Sequence, residues 1–468
     1  MHSSPFYDLP TDIFILVLQS LSIADLVSLN RTCKAFHALI EEVGWQSYLR
    51  SHPRPTFSGK CAQASWTPKT RVRYNVIADR AWGKSRPLAR PLSQPWVGKL
   101  QPVLAISPSR LIVAAGNTLY SYQFLPNAAP GDSPGVRFEG LVRLCQRLEA
   151  QHDITGMTFV HDGGADRTLY VSFRDGRLER ITLFPPPPKS AAGLHALVVE
   201  RLPMPAPYHS GTSDFSESLR ADRNMLLSLS SAGTAALLNT TANPASSPSS
   251  PLLDLQARSW TSHLCLSAST PNPTSSSSAV YGLSRGPPCA PWGASDQVIV
   301  SGWYDSHVRV YDLRACARTR PGPSHSHPSS NRPAGLTPML SLHDPFSYEP
   351  IYDVACGGGS GAHVAAGTAR HSLVAFWDVR APHRGWSVYA PGNDPSPVYS
   401  VILEGARLFG ATQSRPFVYD FGPGVSPSTF PALPPSHPND GLKPDRRRRA
   451  NGAGYYVTKY HHRTGQDA

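Results

Sequence analysis

The sequence has no long apolar run and no regular cysteine pattern. No apolar stretch reaches the roughly 18 residues of a membrane-spanning helix, and the N-terminus lacks the basic segment and apolar run of a secretory signal. The seven cysteines are scattered without a C-x-x-C pair, which argues against a disulfide framework or a zinc site. We therefore expect a protein of the cytoplasm or nucleus, neither secreted nor membrane-bound, with no metal and no cofactor.

Charged residues are also scarce, at 16% of the 468 residues, although the net charge is +12. The densest basic run, Arg446 to Arg449, lies in a Pro-rich polar stretch. Such a run is typical of a solvated tail, and a nuclear-import patch or a nucleic-acid site is the less favoured interpretation. Aromatic residues do not interleave with the arginines, which argues further against nucleic acid. The interpretation is a flexible basic C-terminal tail, residues 425–468. Within it, Tyr455 to Thr458 form either a short strand that closes the fold or merely an exposed apolar end.

Signatures of catalysis are missing. The sequence contains no G-x-S-x-G elbow, no P-loop and no H-E-x-x-H motif. His461 and His462 stand alone in a polar context, which favours an inert pair over metal ligands. We therefore predict a non-catalytic protein.

What the N-terminus does contain is three short amphipathic segments. Pro10 suits a first helical turn, and the residues after it follow the spacing of one helix face at Ile13, Leu16, Val17 and Leu21. Ser22 and Asp25 have the spacing of a capping box that begins a second helix. A third stripe follows at Cys33, Phe36, His37 and Ile40. Each segment is too small to bury its own apolar face, so we expect a partner to cover it.

The order Leu9-Pro10, Asp25-Leu26, Cys33-Lys34-x-Phe36 and Trp45 resembles the F-box, over residues 5–52. One departure is Phe36, where a Trp is common. An ordinary helical hairpin docked on its own domain is the alternative, but it does not explain the joint occurrence of these pairs. The resemblance implies a Skp1-type adaptor as partner. The matching positions are Leu9, Pro10, Ile13, Leu16, Leu21, Leu26, Leu29, Cys33 and Phe36, with Leu9, Pro10 and Ile13 expected in direct contact and others holding the helices together.

From about residue 100 the apolar period changes to two. Short apolar stretches separated by turn residues predict six β-hairpins. They cover residues 110–122, 169–181, 225–238, 298–312, 364–378 and 407–420. Three end in an aromatic-Asp pair, at Tyr311-Asp312, Trp377-Asp378 and Tyr419-Asp420.

This pattern resembles WD40 repeats. A blade leaves both faces apolar, and only neighbouring blades in a ring can cover them. A plain β-sandwich would explain the hairpins but not the repeated endings. With residues 259–264 and 279–283 as two strands of a degenerate unit, we expect seven blades. The predicted fold is thus a small all-α F-box (5–52), a bridging linker (53–98), and an all-β WD40-like propeller with Pro/Ser-rich loop insertions (99–424) before the tail.

The resemblance also suggests where a target binds. In WD40 blades, the residue before the b–c turn Asp and the residue after the first apolar position of strand a lie on one face of the ring. These positions are Arg174, Tyr304 and Arg370 in the turns and Tyr352 and Tyr399 in the strands. Arginines among tyrosines suit an acidic or phosphorylated peptide.

An F-box followed by a WD40 propeller looks like the substrate-recognition subunits of SCF-type ubiquitin ligases. That resemblance implies that the F-box binds the adaptor and, through it, a cullin, while the propeller holds a protein target for ubiquitination and proteasomal degradation. The alternative is a scaffold of the same architecture that binds partners without directing degradation. Neither alternative involves a membrane, and nucleic-acid binding is the least favoured.

Overall fold

The computed structural model describes residues 10–126, 129–146, 149–184, 197–204, 216–222, 225–230, 235–239, 253–254, 264–266, 278–315, 334–392, 395–433 and 453–463. The helices lie at the N-terminal end: α1 Thr11–Ser20, α2 Ile23–Leu29, α3 Lys34–Leu39, α4 Trp45–Ser51, α5 Lys60–Ala64 and α6 Pro68–Gly83. A π turn, Ile40–Gly44, joins α3 to α4, so the third helical segment continues beyond the predicted stripe. Short 3₁₀ turns occur at Ala150–His152, Leu313–Ala315 and Pro427–Thr429.

The strands follow the helices. They are β1 Leu88–Pro91, β2 Val103–Ile106, β3 Arg110–Ala115, β4 Thr118–Leu125, β5 Gly135–Arg143, β6 Ile154–Phe159, β7 Thr168–Phe173, β8 Leu178–Phe184, β9 Val198–Met204, β10 Ser216–Asp222, β11 Met225–Ser230, β12 Ala235–Asn239, β13 Leu253–Asp254, β14 Leu264–Leu266, β15 Val280–Arg285, β16 Val298–Trp303, β17 His307–Asp312, β18 Ala334–Leu336, β19 Leu340–His343, β20 Ile351–Cys356, β21 His363–Thr368, β22 Leu373–Asp378, β23 Arg384–Tyr389, β24 Val398–Leu403, β25 Arg407–Thr412, β26 Pro416–Asp420 and β27 Lys459–Arg463.

Among the described residues these strands form six antiparallel sheets of four or five strands. Sheet I is β2-β3-β4-β5, sheet II β6-β7-β8-β9, sheet III β10-β11-β12-β13, sheet IV β15-β16-β17-β19, sheet V β20-β21-β22-β23-β27 and sheet VI β24-β25-β26-β1. A further pair, β14 and β18, is parallel. The first strands of the six sheets line one channel of about 900 Å³, as the blades of a β-propeller do. The number of blades stays a prediction.

All six predicted hairpins are confirmed, since β3-β4, β7-β8, β11-β12, β16-β17, β21-β22 and β25-β26 pair as antiparallel neighbours. The proposed degenerate unit is wrong in one respect. Residues 280–285 form the first strand of sheet IV and pair with β16, so they belong to the same unit as the 298–312 hairpin. Its other expected strand lies outside the described residues, apart from Leu264 at its end.

Two strands fall in segments expected to have other roles. The predicted linker contains β1, which pairs with β26 and completes sheet VI, so the chain closes this sheet with a strand from its N-terminal side. The predicted flexible tail contains β27, which pairs with β23. Tyr455 forms a bridge to Ala89, and His462 is buried beside Ser387. Residues 453–463 are therefore held in place, because two sheet edges supply their backbone partners.

The remaining linker is packed onto the propeller. Trp82, near the end of α6, lies in the core shared by sheets V and VI, where it stacks on Phe421 at a centroid distance of 3.7 Å. Its indole N–H donates to the carbonyl of Gly405 at 3.0 Å. A buried indole satisfies its single donor in this way. The helices are thus anchored to the propeller by a side chain that belongs to its core.

Candidate protein-interaction sites

The helical unit presents apolar side chains to solvent along α1. Ile13 is 42% exposed and Leu16 61% exposed, and Val17 beside them is also exposed. The helix contributes a different residue, Leu18, to the core of the unit. Three of the four residues of the stripe identified from the sequence therefore face outward, while the fourth, Leu21, packs against the core of the unit. Exposed apolar residues grouped on one helix face mark an interaction site more often than isolated ones do.

Several of the predicted adaptor positions are structural. Leu26 has no exposed surface and lies in the core with Leu18, Ile40 and Trp45, while Leu21 and Leu29 are half-buried against it. Pro10 is exposed at the start of α1, Cys33 precedes α3 and is half-buried, and the ring of Phe36 contacts that of Phe14 at 5.5 Å. Leu9 lies outside the described residues. Val17 and the exposed Val27 were not among the predicted contacts, because pattern alone does not separate inward from outward positions.

The capping box predicted for α2 is present. The Ser22 hydroxyl accepts a hydrogen bond from the Asp25 backbone N–H at 3.2 Å, and the Asp25 carboxylate accepts one from the Ser22 N–H at 3.3 Å. Reciprocal capping satisfies two N–H groups that would otherwise lack partners at the helix start. It fixes where α2 begins.

Two polar contacts attach the helical unit to the propeller. Arg54 donates to both carboxylate oxygens of Asp79 at 2.6 and 2.7 Å and also to the carbonyl of Gly359 at 3.0 Å. The buried Glu404 accepts from the backbone N–H groups of Phe57 and Ser58. Burial raises the pKa of the Glu404 carboxyl to about 7, against the opposing effect of Arg407. These contacts and Trp82 fix the helical unit relative to the sheets.

The strongest candidate for a second interaction site is a row of four tyrosines on sheets IV, V and VI, here called the tyrosine arc. The ring centroids of Tyr304 and Tyr281 are 5.9 Å apart, those of Tyr281 and Tyr352 5.5 Å, and those of Tyr352 and Tyr399 5.1 Å. Tyr281 is 51% exposed and Tyr304 56% exposed. Three of the five predicted target-binding residues are therefore brought together.

A shared irregularity of the first strands explains the arc. The pairing of β15, β20 and β24 with the next strand shifts by one residue at Tyr281, Tyr352 and Tyr399. An extra residue of this kind bends the strand and re-aims its side chain. Tyr281 was missed by sequence reasoning because residues 279–283 were assigned to a separate unit, although Val280-Tyr281 repeats the apolar-Tyr order of Ile351-Tyr352 and Val398-Tyr399.

The two predicted arginines are not equivalent. Arg370 lies in the turn after Thr368, which pairs with Ile351, so it is at the same end of sheet V as Tyr352. It is exposed, and within the described chain its guanidinium makes no hydrogen bond or ion pair. Arg174 lies in a turn of sheet II, where it donates to Gln101 at 3.1 Å. It belongs to a different part of the ring, because sheet I separates sheet II from sheet VI.

The carboxylates near the arc are already engaged. Asp305 receives both arms of the Arg309 guanidinium at 3.0 and 2.8 Å. Glu349 accepts from the Thr368 hydroxyl at 2.7 Å and from the Arg370 backbone N–H at 2.9 Å, and it contacts the His371 ring. Burial alone would raise the Glu349 pKa, but these hydrogen bonds outweigh it and lower the pKa. Both carboxylates near the arc are therefore engaged by groups of the protein itself.

One further carboxylate lines the channel below the arc. Asp353 follows Tyr352 and accepts hydrogen bonds from the backbone N–H groups of Val354 at 2.9 Å and Val401 at 2.8 Å. Burial raises its pKa to about 6. Because Val401 is in β24, this side chain ties the first strands of sheets V and VI together beneath Tyr352 and Tyr399.

Comparison with known proteins identifies the helical unit. Residues 6–51 match the F-box-like family, so this part of the chain is an F-box-like domain. No curated protein matches the chain. No helix among the described residues has the length and apolarity needed to cross a membrane.

Solved structures similar to this chain include a β-propeller domain and two structures of Sqt1. The Cps50 (Swd1) β-propeller domain of Myceliophthora thermophila is 11% identical, with 68% of this chain and 81% of that chain covered and a TM-score of 0.35. Sqt1 of Chaetomium thermophilum is 13% identical, with 68% and 80% covered and a TM-score of 0.39. Sqt1 bound to the N-terminus of ribosomal protein L10 is 11% identical, with 67% and 81% covered and a TM-score of 0.38.

Proposed function

We propose that this protein is the substrate-recognition subunit of an SCF-type ubiquitin ligase. In this proposal the F-box-like domain binds a Skp1-type adaptor, and through it a cullin, while the propeller binds the protein that is to be ubiquitinated and degraded. The observation that carries the proposal is the outward apolar face of α1, at Ile13, Leu16 and Val17. A partner that covers this face removes apolar surface from water, which stabilises the complex.

The subunit would contribute position rather than chemistry. Holding a target near a reactive group raises its effective concentration, and this alone is a large rate factor. The contacts of Trp82 and Arg54 support such a role, since a fixed helical unit keeps the distance between adaptor and target constant. The proposed target site is the tyrosine arc with Arg370, and the proposed ligand is a segment of a protein.

Co-purification tests the proposal. The chain is expressed with an affinity tag in eukaryotic cells and purified from their extract. Bound adaptor and cullin are then measured by quantitative mass spectrometry. We expect both to be recovered, and we expect Leu16→Asp to reduce both by at least about tenfold, since a charge on a buried apolar interface is strongly unfavourable. Val97→Asp is the matched control, because Val97 is an exposed apolar residue outside the helices.

The outcomes separate the two functional alternatives. Adaptor without cullin would favour the non-degradative scaffold over the ligase subunit. Absence of both proteins, or equal recovery with Leu16→Asp and the unaltered chain, would contradict adaptor binding through α1.

A further inference from the structure

The four tyrosines of the arc expose more than apolar surface. Their rings contact one another in a continuous row, and within the described residues none of their hydroxyls makes a hydrogen bond. Each ring therefore offers a flat apolar face together with an available O–H donor. Tyrosines of this kind are favoured in protein recognition because they combine a large contact area with a polar end at little entropic cost.

We propose that the tyrosine arc binds a proline-containing segment of the target in the polyproline II conformation, with an acidic residue at the end nearest Arg370. This inference rests on the proposed function, of which it names the ligand class. A polyproline II segment has no internal hydrogen bonds, so its carbonyl groups are free to accept from tyrosine hydroxyls. Its rigid backbone also loses little entropy on binding, and aromatic-lined surfaces exploit both properties.

The continuous row of rings offers such a segment one extended aromatic surface. Successive centroids of the arc lie 5.1 to 5.9 Å apart, so alternate rings are separated by less than two such steps. A polyproline II helix rises about 3.1 Å per residue with three residues per turn, so prolines on one face recur at about 9 Å. Because neighbouring tyrosine rings are already in contact, the pyrrolidine rings on one face of such a segment would pack across the solvent-facing side of the row, with the bound backbone running along it.

The charges around the arc favour a largely neutral ligand with one acidic group. Asp305 and Glu349 are satisfied by groups of the protein itself, so neither is available to attract a basic segment. Arg370 supplies one exposed guanidinium at the edge of the arc. A phosphorylated segment would be better served by several converging cations, and Arg174 is held on sheet II. Of the two ligands predicted from the sequence, an acidic or a phosphorylated peptide, these charges therefore favour the acidic one, with a single carboxylate beside Arg370.

Peptide selection on the full-length protein tests this inference. A phage-displayed library of random peptides is selected against the unaltered chain, and affinities of the recovered peptides are measured by fluorescence anisotropy. We expect enrichment of proline repeats with Asp or Glu on one side. We expect Tyr281→Ala to weaken binding by at least about tenfold, as for a central hot-spot residue. Tyr281→Phe, which keeps the ring, should weaken it less.

Controls make the result specific to the arc. Tyr348→Ala is the matched control, because Tyr348 is 81% exposed on the loop before β20 and contacts no ring of the arc; it should leave affinity within about twofold. Arg370→Ala should weaken binding and reduce its dependence on salt. Thermal unfolding of each variant confirms that it is folded.

Three results would overturn the inference: no enriched peptides, enrichment without proline, or equal affinity for Tyr281→Ala and the unaltered chain. A synthetic peptide in which phosphoserine replaces the acidic residue, and which binds tightly after its prolines are changed to alanine, would identify a phosphopeptide site instead. Adaptor recovery is measured on the same variants. Retained adaptor with no peptide selection defeats this inference alone, whereas lost adaptor binding in the unaltered chain defeats the proposed function.

Discussion

Single residues of the F-box-like domain show how one sequence pattern contains two roles. Leu16 and Leu26 are both apolar positions of the motif, yet Leu16 is largely exposed and Leu26 is fully buried. The exposed leucine contributes little to the fold of the isolated chain, and its apolar surface is available to a partner. The buried leucine packs the helices together, so its loss would leave a cavity and destabilise the domain. Only burial separates these roles.

A buried acid at the join between linker and propeller gives the first prediction. The pKa of Glu404 is raised to about 7 by burial, against an ordinary value of 4.5. Between these values the folded chain holds a proton that the unfolded chain has released, so the contribution of Glu404 to the free energy of unfolding is largest below about pH 4.5 and declines as pH rises to 7. The decline is on the order of 3 kcal/mol.

Urea unfolding at several pH values measures this effect as the difference between the unaltered chain and Glu404→Gln. We expect the free energy of unfolding of the unaltered chain, minus that of Glu404→Gln, to decline as pH rises from 4.5 to 7 and to be constant above pH 7. Glu349→Gln is a useful comparison, because the pKa of Glu349 is lowered and its contribution to stability should be lost as pH falls. A Glu404→Gln difference that does not vary with pH would contradict the assignment.

Whole elements were predictable from the sequence where their determinants are local. Each of the six hairpins has alternating apolar residues and a turn within one short stretch, so its pairing partner is nearby. β1 and β27 lack such a pattern because their partners, β26 and β23, are distant along the chain. In the same way Tyr352 and Tyr399 were found from a repeat, but their contact with Tyr281 depended on the correct assignment of β15.

The C-terminal strand provides the second prediction. β27 pairs with β23, and it places His462 against Trp377 and Tyr460 against Asp344. A chain ending at Thr458 loses this strand and exposes the edge of sheet V. We expect a lower thermal midpoint and faster proteolysis of β23, because a row of backbone hydrogen bonds, the buried His462 and the half-buried Tyr460 are removed.

Differential scanning calorimetry and limited proteolysis compare this truncation with a chain ending at Arg463, which keeps the complete strand. The longer chain should match the full-length protein, and the shorter one should unfold at a temperature several degrees lower. Equal midpoints for the two truncations would show that β27 contributes nothing to the stability of sheet V.

The molecule as a whole consists of a helical interaction domain fixed to a propeller. Trp82 carries much of this connection, since it stacks on Phe421, contacts Trp386 and donates to Gly405. The bidentate pair between Arg54 and Asp79, with the additional bond to Gly359, lies beside it. Because linker side chains complete the propeller core, the two parts should resist unfolding together.

Replacement of Trp82 by alanine tests this coupling. Truncating a buried tryptophan costs about 3–5 kcal/mol. Because Trp82 connects α6 to the core of sheets V and VI, we expect α6 to lose protection from hydrogen exchange before the strands of sheets I and II do. Lys69→Ala is the matched control on the same helix, because the pair between Lys69 and Glu41 is exposed and such pairs contribute about 0–1 kcal/mol. Unchanged protection of α6 in Trp82→Ala would mean that the helical unit is held by other contacts. If α6 is released as expected and the proposed function holds, adaptor binding should persist while ubiquitination of a bound target falls, because the target would no longer be held at a constant distance from the adaptor.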